Sequence, residues 1–145
     1  MLGCDASPRM VELARARVNG AADLRVHALE DPFDWVDTES IDVVVSALVY
    51  HYTNDRPAFL SEAHRLLRPD GIVVISTRHP AGDWHRLGRS YFAVEPVTEI
   101  WSKGWEITAW RLPLTQIAAE FAEAGFLIER LVEPAPRPEM AETNP

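Results

Sequence analysis

Residues 41–77 read IDVVVSALVYHYTNDRPAFLSEAHRLLRPDGIVVIST and encode a strand, a helix and a second strand in one βαβ crossover. Val43, Val44 and Val45 form an unbroken β-branched run, the pattern of a parallel strand covered on both faces. Asn54 and Asp55 offer capping oxygens and Pro57 sits in the first turn of the helix that follows. Phe59, Leu60, Ala63, Leu66 and Leu67 then recur at helical spacing, so this helix carries one apolar stripe that faces a sheet. Pro69-Asp70-Gly71 stops it, and residues 72–75 start a second buried strand whose C-terminal end points where the first one does. In open α/β sheets, ligands bind at such ends.

The composition bounds what surrounds this unit. A chain of 145 residues with 47% hydrophobic content forms one domain that buries roughly 70% of its unfolded surface. A formal net charge of −8 argues against a nucleic-acid partner, which needs a basic face able to release counterions. The single cysteine, Cys4, excludes an internal disulfide and fits a reducing compartment. No apolar run approaches the ~20 residues of a membrane span. The opening MLGCDASPRM lacks the basic and apolar regions of a secretory signal, so the expected location is cytoplasmic.

Working outward, residues 2–5 end a short strand, Ser7 caps a helix and Pro8 is its first residue. Met10, Leu13, Ala14, Arg17 and Val18 give that helix a largely apolar face, and Gly20 is placed to close it in the left-handed conformation. Leu24, Val26 and the pair Ala28-Leu29 form a weaker strand that Glu30-Asp31-Pro32 ends at the same rim as Asp5. Later, Thr115 caps a helix carrying Ile117, Ala118, Phe121 and Ala122, Gly125 ends it, and FLIERLVE at 126–133 supplies a further strand. Residues 81–112 break the alternation. They hold Trp84, Trp101, Trp105 and Trp110, and two strand-like halves flank Ser102-Lys103-Gly104, which makes them a β-hairpin insertion with Pro96 at an edge or bulge. The proline-rich segment 134–145 has no periodicity and is expected to be extended or disordered.

An acidic residue at a strand end, a Ser-Pro helix start and an HY loop before a helix ending in LLRPDG occur here in one order. In that combination the chain resembles the class I S-adenosylmethionine-dependent methyltransferases. CDASPRMVELARAR looks like the family's second strand and following helix, DLRVHALEDPFDW like its third strand and loop, and IDVVVSALVYHY to VVIST like its fourth and fifth strands. STRHPAGDW resembles a subgroup acting on small molecules. The resemblance covers nearly the whole chain and implies an α/β, Rossmann-like, doubly wound and mostly parallel sheet with a hairpin insertion, in a domain spanning residues 1–133. It also implies transfer of a methyl group from S-adenosylmethionine to a small-molecule acceptor. The family opens with a central first strand and a GxGxG loop, and no G-x-G occurs in this chain. The expectation is therefore a fold incomplete at both ends, lacking that first strand and the family's antiparallel last strand, and inactive without the glycine-rich loop.

By the same resemblance, Asp5 accepts hydrogen bonds from the ribose hydroxyls, and a solvated loop aspartate is the alternative. Met10 rests against the adenine or belongs to the helix core. Ala28 stands where the family often carries an acidic residue, so Glu30 or Asp31 substitutes or the backbone at Leu29 reads the base. Ser46, Ala47 and Leu48 run beside the sulfonium, where small residues let the backbone approach. Methyl transfer is an in-line displacement helped mainly by positioning, so acid–base assistance is optional. His51, His79 and His85 are the candidates to remove a substrate proton, His79 favoured by its place at the rim after the fifth-strand match and His51 next, with a structural role as the alternative for each. Trp101, Trp105 and Trp110 form either an apolar wall over the substrate or a small second core. The five histidines are scattered without an H-x-x-x-H pair, so no metal site is assigned. A non-catalytic remnant or interaction module is the rival reading. A nicotinamide-dependent oxidoreductase is a further one and requires a GxGxxG upstream. The oligomeric state is left open.

Overall fold

The computed structural model of the protein describes residues 1–102 and 104–134. Lys103 of the expected turn and all but Pro134 of the expected tail lie outside the described residues. The strands form two parallel pairs and one antiparallel hairpin, arranged as three two-stranded sheets. This is an α/β, Rossmann-like arrangement.

The first pair joins β1 (Leu2–Asp5) to β2 (Asp23–Val26), with Leu2 opposite Asp23 and Asp5 opposite Val26. The crossing helix α1 (Pro8–Val18) starts as its sequence dictates, since Ser7 Oγ accepts from the Met10 amide at 3.3 Å and Pro8 needs no hydrogen-bond partner. Its end differs from expectation. Asn19 takes the left-handed cap at φ 45°, and Gly20 follows it at φ 83°. Val11 is the buried residue of α1, whereas Met10 and Leu13 are exposed. A two-stranded sheet is too narrow to cover the full apolar stripe of the helix. Strand β2 also stops at Val26, leaving Ala28 and Leu29 in the loop.

The second pair joins β3 (Ile41–Ala47) to β4 (Leu67–Ser76) through α2 (Arg56–Leu66). Asp55 rather than Asn54 caps α2, its Oδ1 accepting from the Ala58 amide at 3.0 Å. Phe59, Leu60, Ala63, Leu66 and Leu67 are all buried, as their spacing predicts. The 69–71 segment does not separate helix from strand. Leu67 already pairs with Ile41, and regular pairing resumes at Val43 opposite Ile72, so residues 68–71 bulge out with Asp70 at φ 65°. Coverage of both faces is not observed either. Ser46 is buried, but Val43, Val45, Ile72 and Val74 are each at least half exposed, because no described element packs over that face.

After β4 comes α3 (Pro80–Leu87), a helix the sequence reading did not separate from the insertion. The hairpin itself is β5 (Glu95–Trp101) with β6 (Trp105–Arg111), paired from Glu95 opposite Arg111 to Trp101 opposite Trp105. Gly104 at φ 75° donates its amide to the Trp101 carbonyl at 3.0 Å, closing the turn. Helix α4 (Leu114–Glu123) is preceded by Pro113 rather than capped by Thr115, which lies inside it. It ends on Gly125 at φ 88°, where the Phe126 amide donates to Phe121 O at 2.9 Å and the two rings meet at 6.0 Å. The strand expected over 126–133 does not form, since a strand needs a ladder partner and no described strand pairs with it.

Two buried clusters hold these parts together. Tyr50, Phe59, Leu60 and Leu112 form one, with Phe121 and Phe126 packed on it, and Phe33, Val36 and Leu66 form the other. Leu29 touches both. Truncating Leu60 to alanine removes a fully buried side chain and is expected to lower stability by about 2–5 kcal/mol. Leu13→Ala, on the exposed side of α1, should stay within about 0.5 kcal/mol. Urea denaturation of the two variants checks this, and equal losses would show that α1 buries more than Val11.

Candidate functional site

Parallel pairing puts the C-terminal ends of β1 and β2 side by side, and the segment after β3 borders the same rim. An open gap of about 1160 Å³ runs between β1 and β3, which do not pair with each other; residues 2–4 and 41–45 line its length, and Asp5, Ala28, Leu29, Ser46, Ala47 and Leu48 border its rim. Six of the seven residues singled out for cofactor binding therefore meet in one space. Met10 does not, being 52% exposed on α1 and outside the lining.

Each wall has a local cause. Asp5 Oδ1 accepts from the Ser7 amide at 2.8 Å, a turn that both ends β1 and sets Ser7 as the helix cap. Its Oδ2 has no partner among the described residues and remains an acceptor. The His27 amide donates to Asp5 O at 3.1 Å, which holds the loop after β2 against it. Glu30, considered as a stand-in for the acid absent at Ala28, accepts from the Asn54 amide and so ties that loop to the segment after β3. Ser46 Oγ is buried without a hydrogen-bond partner among the described residues, a state that costs about 1–3 kcal/mol when nothing satisfies it. Leu48 holds φ 56°, a left-handed conformation costing about 1–3 kcal/mol in a branched residue. Its amide is fixed by Ser76 O at 3.0 Å and Ser76 Oγ at 3.1 Å. Sequence pattern carries no signal for that strain.

The candidate histidines lie outside the lining. His51 is buried in the short turn Tyr50–Tyr52, its Nδ1 3.1 Å from Thr77 Oγ1 and its ring 4.2 Å from that of Tyr52. Burial, and then the Arg78 charge, push its pKa below the ordinary imidazole value against a smaller upward pull from Asp83. It is neutral at pH 7. His79 caps α3, with Nδ1 accepting from the Ala81 amide at 3.1 Å and Nε2 against the Glu133 carboxylate. Nδ1 is thus the unprotonated nitrogen and both ring nitrogens are engaged. The tryptophans divide as well: Trp101 and Trp105 pair at the exposed hairpin tip, while Trp110 donates Nε1 to Asn54 Oδ1 at 3.2 Å.

Two charged centres escaped the sequence reading. Arg78 and Arg86 each donate to both Asp83 and Glu99, which fastens β5 to α3 and to the end of β4. Arg56 and Glu120 are both buried and form a two-pronged ion pair at 2.9 Å through Nε and Nη2. Their only sequence signal is a charge interrupting an apolar helical face. Among the described residues no group of three histidine, cysteine or acidic side chains is placed to hold a metal ion. No helix among them is long and apolar enough to cross a membrane.

Residues 1–75 match the family profile described as a methyltransferase domain. The chain belongs to this methyltransferase family. The match displaces the nicotinamide-dependent oxidoreductase reading. The chain is 31% identical over 113 residues to malonyl-[acyl-carrier protein] O-methyltransferase of Serratia marcescens, covering 78% of this chain and 40% of that protein. It is 31% identical over 97 residues to trans-aconitate 2-methyltransferase of Methylobacterium radiotolerans, covering 66% of this chain and 36% of that one. The chain thus spans about two fifths of the length of these curated relatives. Its fold matches that of a Listeria monocytogenes protein assigned to the S-adenosylmethionine-dependent methyltransferases, with a TM-score of 0.83 and 22% identity over 97% of this chain and 72% of the other. The class I methyltransferase fold is the one the sequence resemblance implied.

The depressed His51 pKa gives a pH dependence with a definite sign. The unfolded chain binds a proton there before the folded one does, so this contribution is complete above about pH 6.5 and is lost as pH falls through the folded value. His51→Asn should therefore flatten the decline of unfolding free energy between about pH 7 and pH 5. Denaturant melts across that range check it, and an unchanged slope would remove His51 as its source.

Proposed function

We propose that the protein transfers the methyl group of S-adenosylmethionine to a small-molecule acceptor, with the rim of the gap between β1 and β3, at the C-terminal strand ends, as its part of the cofactor site. The observation that carries this reading is the convergence of Asp5, the Ala28-Leu29 loop and Ser46-Ala47-Leu48 on one rim. The donors and acceptors fit the cofactor. A carboxylate is acceptor-only and suits the two ribose hydroxyls, and Ala28 and Ala47 leave room for backbone approach. When bound, S-adenosylmethionine supplies a sulfonium methyl group for in-line displacement. The chain's own work is to orient: Asp5 fixes the ribose, the backbone at Ala28 and Leu29 borders the base, and Ser46, Ala47 and Leu48 flank the sulfur end. Holding reactants in line can contribute about 7–11 kcal/mol without a covalent protein intermediate.

The acceptor we favour presents an oxygen that is already ionised, such as a carboxylate. Two observations support this. Two of the curated relatives are named for acceptors that carry a carboxyl group, malonyl and trans-aconitate. His51 is buried and His79 is engaged at both nitrogens, so proton removal is a small part of the reaction. Where a proton must leave, His79 is the better placed of the two, because it is the more exposed. Its acidic charge and single reduced-type cysteine support a cytoplasmic protein without nucleic-acid or membrane partners.

Asp5→Ala should weaken binding of S-adenosylhomocysteine by about 1.5–3 kcal/mol, the range for a hydrogen bond to a charged group. Titration calorimetry measures it. Unchanged affinity would take Asp5 out of the site and the ribose assignment with it.

A further inference from the structure

We propose that Arg56 and Glu120 are positioning residues for the rim of the gap between β1 and β3, holding its wall at residues 53–54 in the shape that admits the cofactor. The proposal rests on that rim being part of the cofactor site. Glu120 comes from α4 and is satisfied at four points: Tyr50 Oη, Arg56 Nε, Arg56 Nη2 and Gln116 Nε2 all donate to its carboxylate. Burial raises the Glu120 carboxyl, but the bonds from Arg56, Tyr50 and Gln116 outweigh it and hold its pKa below the ordinary carboxylate range. It is a charged group in the interior, and its partner Arg56 is equally enclosed. Such a pair is weak evidence of stability, because apolar residues of similar volume often serve as well. What it does supply is direction.

All the remaining contacts of this centre point at one short segment. Arg56 Nη1 donates to Thr53 O at 3.3 Å. The guanidinium lies 4.8 Å over the Trp110 ring, whose Nε1 reaches Asn54 Oδ1, and the Asn54 amide is taken by Glu30. Thr53, Asn54 and Glu30 line the gap, whereas Arg56 and Glu120 do not. Glu120, Gln116 and Trp110 also lie beyond residue 75, where the family match ends. The second half of the chain thereby reaches back to set a wall of a site whose other residues belong to the first half.

Arg56→Lys keeps the charge but loses the second prong and the Thr53 contact. Glu120→Gln keeps Tyr50 and Gln116 as neighbours but loses the charge, and Trp110→Phe keeps the ring while removing the bond to Asn54. In each folded variant, amide exchange measured by NMR should accelerate about ten-fold at Tyr52, Thr53 and Asn54 while α2 and the β3–β4 amides stay at wild-type protection. The dissociation constant for S-adenosylhomocysteine should rise about ten-fold in Arg56→Lys. Exchange that accelerates evenly across α2 and α4, or that is unchanged at 52–54, overturns the proposal. Wild-type affinity in all three variants overturns it too. A wild-type protein that binds no S-adenosylhomocysteine would instead defeat the cofactor assignment, and the exchange pattern would still decide whether Arg56 and Glu120 order this segment.

Discussion

Burial of the α2 stripe against β3–β4 is the constraint on which the remaining structure depends. Phe59, Leu60, Ala63 and Leu66 lose nearly all contact with water, and a large aliphatic or aromatic side chain gains about 1.5–3 kcal/mol by doing so. That packing sets the direction of both flanking strands. It brings the end of β3 beside the loop after β2, and through Leu29 it joins the two buried clusters into one interior. The rim of the gap is a by-product of this arrangement. Asp5, Ser46 and Leu48 border one space although β1 and β3 belong to separate strand pairs, and the Glu30–Asn54 bond and the shared contacts of Leu29 tie the two pairs together.

Charge plays a different part from burial in this molecule. The surface carries a net charge of −8, yet several arginines are directed inward or across element boundaries. Arg56 meets α4, Arg65 reaches the loop at Phe33 and Val36, and Arg78 with Arg86 secures the hairpin. Each joins segments distant in sequence, using a planar fork that fixes angle as well as distance. Apolar contact supplies the free energy of assembly, and these forks select which loop conformation the assembly holds.

Legibility in the sequence followed the range of the forces involved. The α2 stripe, the caps at Ser7 and Asp55, the Gly125 stop and the hairpin with its glycine turn all rest on local spacing, and all appear in the structure. The grouping of Asp5, Ala28, Leu29, Ser46, Ala47 and Leu48 came from resemblance and crossover topology together. What failed depends on partners elsewhere. Among the described residues, 126–133 have strand composition but no ladder to join, Met10 sits on a stripe that a two-stranded sheet does not cover, and the triple-valine run is enclosed on one side only. The Glu120 centre was hidden for the same reason, since its partner lies 64 residues away.

Among the described residues, the face of β3–β4 that no element covers bears on how this fold behaves in concentrated solution. Val43, Val45, Ile72 and Val74 form an apolar strip on a pair of short parallel strands, a surface that favours self-association when two molecules approach. Mutual repulsion between like-charged copies is the opposing force, and it vanishes near the isoelectric point of about 5.0. Acidity and ionic strength therefore govern how concentrated a solution this fold tolerates, independently of how firmly each molecule is folded.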